Sequence, residues 1–222
     1  GSWLTFDDLN NEEIYNIDDL KDSYAIGGVD LSSTTDLTAA VLLLIKNDKK
    51  YIIPHFFMPS DVISRRKEED NAPYDIWVEK GLITVTEGNQ NDFSLVTQWF
   101  LNMIRTYQIR PLWVGFDPWN SQYWTKEMED FGFNMEKIRQ GIYTLSEPMK
   151  QLEADLKNKN VIYNNNPILK WCLSNTQAKV DVNGNIQPSK LNSRYKRIDG
   201  AVALIIAYAV LNRYKLDFEN MQ

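Results

Sequence analysis

Three aspartates stand where apolar segments end. Asp30 closes the run Ile26-Gly27-Gly28-Val29, Asp117 closes Trp113-Val114-Gly115-Phe116 just before Pro118, and Asp199 opens an almost wholly apolar stretch that runs to Leu211. Burying a carboxylate is costly unless a cation or several donors meet it. Singly, each acid has an ordinary reading: a turn cap or lysine partner for Asp30, a helix N-cap worth about 1 kcal/mol for Asp199. Together they say more. If the two strands are neighbours and the helix starts beside their ends, three carboxylates meet and repel one another unless divalent cations neutralise them. Two magnesium or manganese ions about 4 Å apart would do so, and would clamp the attacking and leaving oxygens of a phosphodiester.

The rest of the composition fits oxygen-ligand chemistry. With one cysteine, Cys172, and one histidine, His55, the chain cannot form an internal disulfide or a Cys/His zinc site, which leaves hard cations held by oxygen. The two-cation scheme needs no histidine base, and His55 reads as a satisfied strand residue. Lys190, Arg194, Lys196 and Arg197 lie in an acid-free segment just before Asp199. They could hold DNA phosphates, or form a solvated loop. The net charge of −6 argues against a general DNA coat but not against such a local patch. Trp119, Trp124 and Trp171 read as core. No signal peptide opens the chain, and the apolar stretch at 201–211 is too short to span a bilayer, so a reducing, cytosolic setting without membrane is expected.

The elements that must position these residues follow from periodicity. Ser23 to Ile45 reads as a β-hairpin around the polar turn Ser32-Ser33-Thr34-Thr35-Asp36, and Tyr51–Phe57 as a third strand, put towards an edge or bulge by Pro54. A charged surface helix capped by Ser60-Asp61 runs to Asp70, and Leu82–Thr86 is a short strand. A helix entered at Asp92 carries the apolar stripe Phe93, Val96, Phe100, Met103, Ile104, Tyr107. Pro111–Asp117 is a strand, Ser121–Phe131 a helix, and Lys137–Gln140 a strand. Helices are expected to open at Ser146-Glu147-Pro148 and at Asn166-Pro167, a hairpin at Asn183-Gly184, and the last helix at Asp199. Strands that begin as a meander and then alternate with helices imply an α/β fold, a mixed sheet covered on both faces. The acid- and asparagine-rich stretch up to residue 22, with Gly1-Ser2 as a cloning scar, reads as an N-terminal arm, and residues 23–222 as one domain.

Six blocks in this order, Gly27-Gly-Val-Asp-Leu-Ser-Ser-Thr-Thr-Asp-Leu-Thr38, Val85-Thr-Glu-Gly-Asn89, Phe116-Asp-Pro-Trp-Asn120, Arg139-Gln-Gly141, Asn166-Pro167 and Lys196-Arg-Ile-Asp-Gly-Ala-Val-Ala203, resemble the nuclease domain of the large terminase subunit of tailed bacteriophages. The resemblance implies a ribonuclease H-like, retroviral integrase-like fold and a metal-dependent endonuclease that cuts concatemeric double-stranded viral DNA during packaging. It puts the acidic triad on Asp30, Asp117 and Asp199, with Asp36 as a helper or merely a turn residue. It also implies an ATPase motor domain beyond the arm, portal and small-subunit partners, and a place in the cytoplasm of the infected bacterium at the procapsid portal. The chain carries no Gly-x-x-x-x-Gly-Lys-Ser/Thr loop, so this domain is not expected to hydrolyse ATP. Three other readings compete: another ribonuclease H-like nuclease of resolvase or transposase type, an actin-like ATPase fragment, suggested by Asp30-Leu-Ser-Ser-Thr-Thr, and a catalytically silent DNA-binding or portal-docking module in which the acids are incidental.

Overall fold

The computed structural model describes residues 3–31, 34–119, 121–190 and 195–221. Arg194, and Ser32-Ser33 of the polar turn, lie outside the described residues. In chain order the strands are β1 Tyr24–Asp30, β2 Thr38–Lys46, β3 Lys49–Pro59, β4 Ile83–Thr86, β5 Arg110–Phe116, β6 Met135–Lys137, β7 Val161–Ile162, β8 Thr176–Val180 and β9 Ile186–Lys190. The helices are α1 Phe6–Leu9, α2 Ile63–Asp70, α3 Tyr74–Glu79, α4 Ser94–Tyr107, α5 Gln122–Asp130, α6 Ile142–Lys157, α7 Pro167–Ser174, α8 Asp199–Arg213 and α9 Lys215–Asn220.

The main sheet has the order β4-β3-β2-β1-β5-β6, with β7 also on β3. The hairpin β1–β2 and the step β2–β3 are antiparallel, while β5 joins β1 in parallel and β6 joins β5 in parallel. β2 shows why the sheet must be covered twice. Ala39, Val41 and Leu43 enter one core with α6, α7 and α8, and Ala40, Leu42 and Leu44 enter another with α4 and α5. Alternation here divides apolar from apolar, as in a central strand buried on both faces. Pro54 lies inside β3 opposite Val41, in the stretch that neither β7, at Lys50–Tyr51, nor β4, at Phe56–Pro59, reaches. The missing N–H is tolerated where one side of the strand has no neighbour.

Several boundaries differ from those expected. α6 begins at Ile142 and contains Pro148 in its interior. The proline forgoes the bond to the carbonyl of residue 144 at a cost of roughly 3 kcal/mol, which burial of Leu145, Met149, Leu152 and Leu156 outweighs. Ser60 does not cap α2: Ser60–Val62 form a single 3-10 turn, and the Ser60 hydroxyl accepts from the Gly88 N–H at 3.0 Å. α3 was not expected. It forms because Tyr74 and Trp77 bury against Trp171, with ring centroids 5.9 and 5.7 Å from it. β6 stops at Lys137, short of the strand expected to run to residue 140. The Asn183-Gly184 signal does form a hairpin, β8–β9, with Gly184 at φ 79°.

Residues 3–21 are packed against the domain. Trp3, Leu4 and Leu9 join the core, the Asn11 side chain donates to the Val161 carbonyl at 2.9 Å, and the Tyr163 hydroxyl donates to the Leu9 carbonyl at 2.5 Å. No helix among the described residues is long and apolar enough to cross a membrane.

Candidate active site

The site is set by how closely α8 lies on β1 and β5. A Cβ on Gly28 would come within 2.3 Å of the Ala203 carbonyl oxygen, and one on Gly115 within 2.5 Å of Val210. Only glycine lets the helix backbone approach the strand this far. Further along, Tyr214 stacks on Trp113 with centroids 4.2 Å apart. α8 therefore runs back along β5, and its first turn lies at the carboxyl ends of β1 and β5.

That arrangement brings Asp30 and Asp199 together. Both are buried, at 4% and 7% exposure. Burial raises the Asp199 carboxyl, and the like charge of Asp30 raises it further, to about 7, against the opposing pull of Lys190 and Arg197. Asp199 is the first residue of α8 rather than its cap, which is Ile198. A carboxylate there is favoured by the helix dipole, and Lys190 and Arg197 also act on it, yet burial and the like charge of Asp30 prevail. Such a donor set fits a hard divalent cation.

Asp117 is placed differently. Gly28 pairs with Gly115, and carrying that register two residues further sets Asp117 beside Asp30 on the neighbouring strand. Its carboxylate turns to its own loop, where Oδ1 accepts from the Trp119 N–H at 3.0 Å. Among the described residues no three His, Cys, Asp or Glu side chains are gathered closely enough to hold a metal ion. The structure thus brings two of the three expected acids together and leaves the third one strand away.

The cations divide as well. Lys190 is exposed at the end of β9, and Lys196 is half-buried. Arg197 is buried, with Nε 3.1 Å from Asp70 Oδ2 and Nη1 3.5 Å from Asp36 Oδ2. Its charge is spent inside the protein, which corrects the expectation that it faces DNA phosphates. Asp36 also pairs with Arg66 at 2.6 Å, so the residue expected as a helper is held by two arginines. Trp124 is buried and Trp171 packs in the Tyr74–Trp77 cluster, but Trp119 is 74% exposed and is no core residue. His55 is satisfied as expected: Nε2 lies 2.7 Å from the Thr84 hydroxyl, and the ring stacks on Trp99.

Asp70 and Arg66 were missed. They sit in a charged run, Arg65 to Asp70, that has the composition of a solvated helix face, and nothing in their spacing distinguishes the buried acid. The retrospective signal is weak: Asp70 and Tyr74 are four residues apart, and the Tyr74 hydroxyl donates to Asp70 Oδ2 at 2.5 Å.

The sequence matches the profile of the family described as terminase large subunit, endonuclease domain, over residues 2–213. It is 29% identical over 188 residues to the terminase large subunit of Enterobacteria phage HK97, covering 83% of this chain and 37% of that protein. The crystal structure of the HK97 bacteriophage large terminase superposes with a TM-score of 0.83 at 26% identity, over 95% of this chain and 43% of that one. The large terminase nuclease of thermophilic phage G20c with bound magnesium superposes at 0.55 and 16% identity, over 90% of this chain and 85% of that one, a likeness of fold. The mixed, helix-flanked sheet is thereby of the expected ribonuclease H-like kind. The chain spans less than half the length of the HK97 protein.

Proposed function

Because this chain belongs to the endonuclease-domain family of the terminase large subunit, we propose that it is an endodeoxyribonuclease that cuts concatemeric double-stranded viral DNA with two magnesium or manganese ions. The observation that carries this reading is the side-by-side burial of Asp30 and Asp199 at the ends of β1 and α8. The bound cations would neutralise these acids and polarise the phosphodiester undergoing in-line hydrolysis. Asp30 and Asp199 would supply oxygen ligands from the end of β1 and the first turn of α8, two elements that lie close together at Gly28. Asp117 would complete the acidic set from the end of the neighbouring strand β5, and joining it would cost the hydrogen bond from the Trp119 N–H. Lys190 and Lys196 would hold DNA phosphates beside the acids, whereas Arg197 is engaged by Asp70 and Asp36.

The proposal extends to the rest of a terminase. An ATPase motor domain, joined through the segment up to residue 22, would feed the DNA, and the portal and small subunit would complete the machine at the procapsid in the infected cell's cytoplasm. Support comes from the length of the HK97 protein, of which this chain spans 37%.

Plasmid cleavage in magnesium, manganese or EDTA tests the enzyme itself, comparing the parent with Asp30→Asn. Metal-dependent nicking and linearisation by the parent, lost in the variant, is the expected result. Cleavage that survives EDTA, or full activity in Asp30→Asn, overturns the reading.

A further inference from the structure

The segment that delivers Asp199 is held by a buried chain of charges. Asp70 has no exposed side-chain surface, and Arg197 has 8%. Arg197 reaches Asp70 through two guanidinium nitrogens, Nε at 3.1 Å and Nη2 at 3.4 Å. Tyr74 donates to the same carboxylate, and the Asn175 side chain donates to the Arg197 carbonyl at 3.0 Å. On its other side Arg197 meets Asp36, just ahead of β2, which Arg66 holds at 2.6 Å. Both sides of the candidate site are therefore tied to one guanidinium: the residues entering α8 through Arg197 itself, and the start of β2, whose Ala39 pairs with Asp30, through Asp36.

We propose that Asp70, acting through Arg197, is a positioning residue that fixes the spacing of Asp30 and Asp199 for cation binding. The inference rests on the reading of those two acids as cation ligands. Asp70 touches neither acid's reacting environment. Its work is to hold a planar fork whose in-plane N–H groups set two chain segments at once, which a lysine ammonium, a point charge on a flexible stem, cannot reproduce.

The double variant Asp70→Asn/Arg197→Met separates positioning from charge and from folding. It removes the pair without leaving a buried charge alone, a replacement that is often neutral or stabilising. It also takes a cation away from the acids, so electrostatics alone predicts equal or tighter binding of a divalent ion. Positioning predicts the reverse. In calorimetric titration with Mn²⁺, without DNA, the double variant should melt cooperatively like the parent yet bind at least about tenfold more weakly, while DNA affinity in EDTA stays the same. Arg197→Lys, which keeps the charge and loses the fork, should weaken Mn²⁺ binding in the same direction. Parent-like or tighter Mn²⁺ binding in the double variant, or in Arg197→Lys if the double variant fails to fold, overturns the inference and leaves the nuclease reading standing. A parent that binds no Mn²⁺, or whose binding survives Asp30→Asn, overturns both.

Discussion

Two buried charge clusters meet at residues 197–199 and solve the same problem in opposite ways. Around Arg197 the charges are complementary: Asp70 and Asp36 face one guanidinium, Tyr74 adds a donor, and Arg66 balances Asp36. Two residues on, Asp199 faces Asp30, a like charge, and its carboxyl is pushed up to about 7. The first cluster is electrically complete. The second sets two like charges side by side, near where α8 lies closely on β1 at Gly28. Complementary charges fix a backbone, while a surplus of one sign makes a binding site.

The comparison breaks most sharply at Asp30. Asp30→Asn should lower plasmid cleavage by roughly a thousandfold or more without lowering the melting temperature, because it relieves a repulsion. A large loss of stability would mean that Asp30 is a structural partner like Asp70. The converse holds for Asp70→Ala. It strands the Arg197 charge, and urea titration should show a loss of about 3–5 kcal/mol. A loss near zero would show the two clusters to be alike.

These measurements need a pH at which no third group interferes. Burial holds the His55 imidazole neutral down to about 4, against an ordinary value of 6.5. Below 6.5 the unfolded chain takes up a proton that the folded chain refuses. The stability this contributes is complete above 6.5 and is lost as the pH falls towards 4, about 3 kcal/mol at most. His55→Gln should flatten that slope in urea midpoints collected across this range, so the clusters are best compared above pH 7. The smallest effect is expected at the rim. Lys190→Glu with Lys196→Glu should weaken DNA binding several-fold and flatten its salt dependence, with the melting temperature unchanged. Unchanged affinity would remove both lysines from the DNA path.

Much of the scaffold was legible from local pattern. Two apolar runs around a polar turn marked β1–β2, and Asn183-Gly184 marked β8–β9, because both signals lie within a few residues. The reading failed where packing overrode a local preference. Pro148 looks like a helix start, but four apolar side chains on one face of α6 keep the helix going through it. α3 has no sequence signal stronger than its neighbours, and its reason to exist is an aromatic contact with Trp171, nearly a hundred residues away. Trp119 looks like core by residue type, yet it follows Pro118 in a turn beyond the end of β5 and stays exposed.

The sequence alone determined that Asp30, Asp117 and Asp199 end apolar segments, that any metal must be held by oxygen, and which blocks carry the terminase resemblance. Composition and short spacing suffice for those statements. Only the tertiary structure decided that Asp30 and Asp199 meet while Asp117 turns to its own loop, and that Arg197 is spent on Asp70 rather than offered to DNA. Those outcomes depend on register between strands and on pairs such as Asp70 and Arg197, 127 residues apart. Charge, unlike hydrophobic periodicity, carries no mark in the sequence of the partner it will meet.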